Sequence, residues 1–139
     1  MTQQDELEIR NLIARIAWLT DKWTSPEEYL YNCTDDFSWQ IEGMPAYVGH
    51  EGMARRLREM QQQGICGPGL PTRHCVTSVE VMSEGEADKA KARSFVIMMT
   101  YEKNTPLVAG YGEYHDELRR ERGRWLIAKR FCIAFWQAP

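Results

Sequence analysis

The sequence lacks the local patterns that mark several common classes of enzyme and metal-binding protein. Its four cysteines, at positions 33, 66, 75 and 132, form no CxxC pair, so a zinc site built from cysteine is not expected. Its three histidines show no HxH, HxxxH or HExxH spacing, and we predict no metal site. The glycine motifs of nucleotide-binding loops and the GxSxG motif of serine hydrolases are also missing. These absences favour a protein that works without a bound cofactor.

Long apolar runs and strongly basic segments are missing as well. No run approaches the ~20 apolar residues that cross a bilayer, and the first ten residues are polar and acidic, unlike a signal peptide. The formal net charge is −3, and the arginine cluster at 119–124 is interrupted by Glu121. Such a cluster is typical of a solvated turn rather than of a nucleic-acid surface. We therefore predict a cytoplasmic protein with reduced thiols that binds neither nucleic acid nor membranes.

The order of periodic segments predicts one α+β domain over residues 1–139, because helical patterns come first and strand patterns follow. Helical spacing of apolar residues predicts helices over 2–23, 25–31 and 51–63. Alternating patterns predict strands over 37–41, 47–48, 72–82, 87–101, 107–119 and 124–135. A turn is expected at Asp35 and Asp36, and a bulge at Gly110 and Gly112. Short turns between the last four strands favour an antiparallel meander, whose bent sheet and covering helix would leave a ligand cavity.

Asp21 is the most informative residue, because it lies at the C-terminal end of the first helix, where the helix dipole disfavours a negative charge. Ala17 and Trp18 lie one turn earlier on the same side of the helix. A carboxylate in such a place suits general acid–base chemistry or the orientation of a histidine. The alternative is an exposed aspartate on a fraying last turn.

His74 follows the glycine- and proline-rich loop 64–71 and begins a strand with apolar residues on both faces. A buried histidine with a carboxylate partner can shuttle protons, although a hydrogen-bonded core histidine is the alternative. Tyr47 and Tyr111 could each donate a hydrogen bond to a developing oxyanion, with core packing as the alternative. His50 and His115 are expected to be structural or exposed.

An ordered set of segments resembles the SnoaL-like branch of the NTF2-like superfamily over nearly the whole chain. The segments are Asp21-Lys22-Trp23, Cys33-Thr34-Asp35-Asp36-Phe37-Ser38-Trp39, Tyr47-Val48-Gly49-His50-Glu51-Gly52, Thr72-Arg73-His74, Gly112-Glu113-Tyr114-His115-Asp116 and Gly123-Arg124-Trp125-Leu126-Ile127-Ala128. Each segment is weak alone, and their common order makes the resemblance specific. It implies a cone-shaped α+β fold in which a strongly curved, mostly antiparallel sheet and about three helices enclose a pocket.

Within this family the dehydratases, such as scytalone dehydratase and bile acid 7α-dehydratase, are the most similar in function. The resemblance carries their helix aspartate onto Asp21, their strand histidine onto His74 and their pocket tyrosine onto Tyr47. It implies a cofactor-independent dehydratase or isomerase acting on a cyclic, largely apolar metabolite of the steroid, polyketide or terpenoid type. The residues that we expect to bind this substrate are Trp18, Trp39, Phe95, Met99 and Tyr111.

Two other functions stay open, because this fold hosts many. One is a non-catalytic protein that binds a small molecule in the same pocket. The other is a small accessory subunit of a ring-hydroxylating dioxygenase. The resemblance to the family also implies a homo-oligomer, either a dimer or a trimer.

Overall fold

The computed structural model describes residues 1–138, which form three helices and one six-stranded sheet. The helices are α1 (Gln3–Lys22), α2 (Pro26–Leu30) and α3 (Gly49–Gln62). The strands are β1 (Cys33–Ile41), β2 (Tyr47–Val48), β3 (Arg73–Ser83), β4 (Lys89–Glu102), β5 (Thr105–Glu121) and β6 (Arg124–Gln137). This arrangement confirms the α+β prediction. Over the same residues, no helix combines the length and the apolar character that a bilayer span requires.

α1 begins at a capping box and turns one apolar side toward the core. The Thr2 hydroxyl accepts a hydrogen bond from the backbone N–H of Asp5, whose carboxylate accepts one from the N–H of Thr2. The helix then buries aliphatic side chains at helical spacing, namely Ile9, Leu12, Ile13 and Ile16. At the start of α2, Glu28 accepts a hydrogen bond from the N–H of Ser25, and Pro26 occupies the first turn. Both helix starts therefore follow from the local sequence.

The strand order β2-β1-β6-β5-β4-β3 confirms the predicted antiparallel meander of the last four strands. β1 runs parallel to β6 and antiparallel to β2, so the sheet is mixed. Two-residue turns join β4 to β5 and β5 to β6, and the residues with positive φ in them are Lys103, Asn104, Arg122 and Gly123. Such turns match the right-handed twist of paired strands, which explains why these hairpins were predictable.

The predicted turn at Asp35 and Asp36 is wrong, because β1 begins at Cys33 and includes both aspartates. The pairing of β1 with β6 shifts register between Cys33 and Ser38, so this part of the strand is irregular. Asp36 forms an ion pair with Arg119, a residue distant in sequence. A local pattern gives no sign of such a partner.

The sheet is irregular where the glycines of β5 predicted a bulge. Opposite β4 the extra residue is Ala109 of β5, next to Gly110, and opposite Tyr111 and Gly112 the extra residue is Phe135 of β6. A Cβ atom at Gly112 would lie 2.1 Å from the carbonyl oxygen of Ile133, so no larger residue fits at this close approach. α1 packs mainly on β3, and α3 packs mainly on β1. A cavity remains between α3 and the strands, beside the core that the helices cover.

Candidate active site

Asp21 and His74 are in direct contact, although 53 positions separate them in the sequence. The Oδ1 atom of Asp21 lies 2.7 Å from Nδ1 of His74, and its Oδ2 atom accepts a 2.6 Å hydrogen bond from the backbone N–H of His74. The two side chains are 3% and 7% exposed, so the contact is buried. Both carboxylate oxygens therefore hold the same residue, which fixes the orientation of its imidazole ring.

The packing of α1 against β3 brings the two residues together. Asp21 lies in the last turn of α1, and His74 is the second residue of β3. β3 is an edge strand, and edge strands leave backbone N–H groups without a strand partner. Asp21 accepts the hydrogen bond of one such group, which satisfies a donor that would otherwise be buried without a partner.

His74 lines a cavity that contains about 640 Å³ of space, part of it open to solvent. The wall comes from α3 and from every strand except β2, and its larger apolar side chains include Trp39, Ile41, Met60, Val96, Met98 and Tyr114. Arg56 and Glu113 add two charged residues to this wall. The arrangement can hold an apolar ligand against a histidine whose orientation is fixed.

The prediction that Phe95 and Met99 face the ligand is wrong by one residue. Val96 and Met98 line the cavity instead, whereas Phe95 is half-exposed and borders a different surface cleft. Successive strand residues point to opposite faces, and Met98 lies directly opposite His74 in the β3–β4 pair. By the same alternation Met99, which is next to Met98, lies on the opposite face of β4 and does not line the cavity.

Trp39 and Tyr111 lie in the cavity wall, and their role in substrate binding stays a prediction. Trp18 does not line this cavity. It is 66% exposed and borders a separate open cleft, and Asp21 and His74 also border this cleft. Trp18 thus borders the same cleft as the Asp21–His74 pair, and its role in substrate binding stays a prediction.

Tyr47 also lies outside the cavity that His74 lines. Its hydroxyl donates a 2.6 Å hydrogen bond to Oε2 of Glu59, and its ring packs edge-on against Trp39 at 6.0 Å. β2, which carries Tyr47, and β3, which carries His74, form opposite edges of the sheet. The expected pairing of Tyr47 with His74 around one carbonyl group is therefore corrected.

Comparisons with known proteins agree with this geometry. A family model described as a SnoaL-like domain matches residues 1–131. The chain belongs to the SnoaL-like family. No protein of curated function matches the sequence significantly.

Solved structures share the fold of this SnoaL-like chain at low sequence identity. A protein of unknown function with a cystatin-like fold from Nostoc punctiforme has a TM-score of 0.84 at 24% identity, over 100% of this chain and 97% of its own. An NTF2-like protein from Novosphingobium aromaticivorans has a TM-score of 0.78 at 22% identity, over 95% and 82%. A provisionally assigned scytalone dehydratase from the same organism has a TM-score of 0.76 at 17% identity, over 97% and 87%. These similarities confirm the NTF2-like fold.

The SnoaL-like cavity also contains a residue that the sequence interpretation missed, Arg56 of α3. Its side chain lines the cavity and contacts the rings of both Trp39 and Tyr47. A signal was present, because Arg56 is three residues after Met53 and four before Met60, both of which are buried. The run of arginines around it resembles a solvated helix face, which concealed this spacing.

Asp21, His74 and Cys66 each place one possible metal-binding atom within 4.8 Å of the others. Their chemistry is unsuited to a metal ion. Burial, together with a smaller effect of the neighbouring Asp21 carboxylate, raises the pKa of the Cys66 thiol to about 12, so the thiolate that binds metals is disfavoured. Asp21 and Nδ1 of His74 already bond to each other.

A buried ion pair between Arg130 and Asp116 contacts one residue of the cavity wall, Tyr114. The Nε and Nη2 atoms of Arg130 donate hydrogen bonds of 2.8 and 2.9 Å to the two carboxylate oxygens of Asp116, and the side chains are 2% and 0% exposed. The guanidinium also lies 3.8 Å from the ring centroid of Tyr114, a wall residue. The pair thus fixes the position of Tyr114. Sequence interpretation missed it because the two residues meet only through the register of β5 and β6.

Proposed function

We propose that this SnoaL-like protein is a cofactor-independent dehydratase or isomerase that acts on a cyclic, largely apolar metabolite of the steroid, polyketide or terpenoid type. The observation that carries the proposal is the buried contact between Asp21 and His74, because His74 also borders an apolar cavity. An imidazole oriented by a carboxylate and facing such a cavity is suited to proton transfer. Structural similarity to the provisionally assigned scytalone dehydratase supports the same class of reaction.

Asp21 determines which imidazole nitrogen of His74 is free to react. An ionised carboxylate only accepts hydrogen bonds, so Nδ1 carries a proton and donates it to Oδ1 over 2.7 Å. A neutral imidazole then has its lone pair on Nε2. Across residues 1–138 no protein group forms a hydrogen bond with that nitrogen. In this proposal Nε2 of His74 is the general base.

In the proposed reaction Nε2 removes a proton from the carbon next to a carbonyl group, and Asp21 stabilises the resulting imidazolium. In a dehydration, the electron pair of the broken C–H bond forms a carbon–carbon double bond while the bond to the β-hydroxyl breaks. The imidazolium returns its proton to the leaving hydroxide, which departs as water. In an isomerisation the proton returns to a different carbon. General acid–base catalysis contributes roughly 10²–10⁴-fold, which suits a substrate whose proton is already acidic.

We also propose that the chain forms a homo-oligomer of two or three copies in the cytoplasm. Apolar side chains that are 36–54% exposed lie on the later strands, among them Phe95, Ile97, Tyr111 and Phe135. Exposed apolar patches on small proteins commonly mark protein interfaces. Light scattering after gel filtration measures the number of copies directly.

The four cysteines are free, which supports the proposed location in the reducing cytoplasm.

A bicyclic β-hydroxyketone tests the proposed reaction. Loss of water from 3-hydroxy-1-tetralone gives 1-naphthol, whose fluorescence reports the rate. We expect the wild-type protein to accelerate this elimination, and His74→Ala to lose roughly 10²–10⁴-fold of that acceleration. His50→Ala is the matched control, because its side chain is 39% exposed and lies near Asp35 rather than Asp21.

Full activity of the His74→Ala variant would refute the mechanism. Tight binding of the tetralone by the wild-type protein without naphthol formation, repeated with steroid and terpenoid ketones, would favour the non-catalytic binding protein. Purification with a larger partner subunit would favour the oxygenase accessory role.

A further inference from the structure

Arg56 is a cationic side chain placed in the wall of an otherwise largely apolar cavity. It lines both the cavity that His74 borders and an adjoining outer cleft, and Trp39 and Ile41 also border both spaces. Arg56 therefore lies where the two spaces meet, within reach of a ligand that occupies either of them.

Two aromatic rings hold the guanidinium of Arg56 in place. Its Cζ atom lies 4.7 Å from the ring centroid of Trp39 and 5.5 Å from that of Tyr47. Contacts of this kind between a cation and aromatic rings are attractive, and they limit the conformations of a long side chain. The donors of Arg56 are therefore positioned in advance, so little conformational entropy remains to be lost when a ligand binds.

The guanidinium of Arg56 has no anionic partner. Its Nε atom is buried without a hydrogen-bond acceptor, and within residues 1–138 the side chain forms no ion pair. The nearby carboxylate of Glu59 is already occupied, because it accepts hydrogen bonds from the Tyr47 hydroxyl and from Arg55. By contrast, Arg130, which also lies close to the cavity, donates two hydrogen bonds to the carboxylate of Asp116.

Acidic groups of the cavity do not compensate Arg56 either. The carboxylate of Glu113 lies within 2.9 Å of the His115 ring, and that of Asp21 is held by His74. A buried donor without a partner costs free energy, and a partly buried cation without a counter-ion costs more. A ligand with an anionic oxygen would remove both costs at once.

We propose that Arg56 binds a carboxylate of the ligand, so that the natural ligand is a cyclic acid rather than a neutral apolar compound. This inference deepens the proposed function, because it concerns the ligand of the same cavity. The planar guanidinium forms two parallel hydrogen bonds to a carboxylate, a geometry that lysine does not reproduce. The ring system of the ligand then lies against Trp39 and the apolar wall, with its reacting carbon toward His74.

A pair of probes that differ in charge but not in shape tests this inference by binding alone. 2-Naphthoate and 2-naphthamide are titrated into the protein by calorimetry at pH 7. Hydrogen bonds to a charged group predict that the wild-type protein binds naphthoate roughly 10–100-fold more tightly. Arg56→Met keeps the length of the side chain and loses its charge, so we expect the two affinities to become equal within about twofold. Arg56→Lys keeps the charge without the paired donors and should retain part of the preference.

Arg58→Met is the matched control, because Arg58 lies on the same helix but is exposed, and it should keep the full preference. Wild-type protein that fails to prefer naphthoate overturns the inference before any variant is made. A parallel loss of affinity for both probes in Arg56→Met, with its fold checked by circular dichroism, also overturns it, because it would show a purely structural role.

The same probes separate this inference from the proposed function. His74→Ala should keep the preference for naphthoate, because the base does not contact the carboxylate in this arrangement. Turnover of the tetralone without any preference for the anionic probe would refute the role of Arg56 alone. A preference for the anionic probe without turnover of any ketone would refute the reaction alone.

Discussion

Replacing Asp21 with asparagine should reverse the hydrogen-bonding pattern of His74 while leaving its position almost unchanged. Asparagine has one carbonyl oxygen and one NH₂ group, in place of two accepting oxygens. The oxygen can still accept the hydrogen bond from the backbone N–H of His74, which in the native protein is 2.6 Å long. The NH₂ group then faces Nδ1, so Nδ1 must accept and the proton of the imidazole moves to Nε2. A protonated Nε2 has no lone pair with which to remove a proton.

The expected magnitudes follow from the two hydrogen bonds. A hydrogen bond to a charged group contributes about 1.5–3 kcal/mol and a neutral one about 0.5–1.5, so converting both costs about 2 kcal/mol. The site is buried, and solvent screening does not reduce this value much. For 139 residues the unfolding entropy is roughly 0.3 kcal/mol/K, so Tm should fall by about 7 °C. The rate of elimination should fall roughly 10³–10⁴-fold because the wrong tautomer predominates.

Three measurements test this prediction: naphthol formation, thermal unfolding, and the nitrogen chemical shifts of the His74 ring. Asp35→Asn is the matched control, since Asp35 is exposed and its carboxylate lies 3.9 Å from the ring of another histidine, His50. That variant should change none of the three. Activity of Asp21→Asn within about threefold of the wild type would refute the proposed base, given the general contribution of such a group. So would a loss of activity in which nitrogen shifts still place the proton on Nδ1.

Other predictions concern the scaffold. Arg130→Met should destabilise the protein by about 3–5 kcal/mol in urea unfolding, because it leaves a buried charge unpaired, whereas Asp116→Leu combined with Arg130→Met should regain most of that loss. The hydrogen bond from the backbone of Thr2 lowers the pKa of Asp5 from 3.8 to about 2, so the ionised carboxylate stabilises the fold above about pH 4 and this stabilisation disappears as the pH falls through 2. Thermal unfolding is measured from about pH 5 down to about pH 2. Over this range the Tm of Asp5→Asn should fall less than the Tm of the wild type. Tyr47→Phe should keep tetralone turnover within about threefold, since its hydroxyl bonds to a glutamate outside the cavity; a loss comparable to that of His74→Ala would contradict this placement.

The parts of the fold that local sequence could predict are those that local interactions stabilise. The turns at Lys103–Asn104 and Arg122–Gly123 join long strands whose pairing follows directly from the turn, so the meander was predictable. The start of α1 was predictable from its capping residues. The parallel pairing of β1 with β6 was not, because about ninety residues separate these strands and no local signal records their contact.

The site was predictable to the extent that it depends on unusual residues rather than on strand register. Asp21 stood out because a carboxylate is disfavoured at a helix C-terminus, and the structure places it against His74. The identity of the wall residues depended on which face of β4 is buried, and a shift of one residue exchanges Val96 and Met98 for Phe95 and Met99. Which face of β4 lies toward the cavity depends on its pairing with β3 and β5, which an isolated strand pattern does not contain.

Because β3 is an edge strand, Asp21 has a structural role in addition to its proposed catalytic role. Its Oδ2 atom satisfies a backbone N–H that has no strand partner, so the carboxylate would be needed for folding even in a protein that only binds a ligand. Loss of stability in Asp21→Ala therefore does not distinguish an enzyme from a binding protein, because both lose the same acceptor. Asparagine keeps that acceptor and changes only the group that faces Nδ1. The two variants are therefore compared by their reaction rates rather than by their Tm values. This comparison separates the effect of the proton position on His74 from the loss of the hydrogen bond to the edge strand.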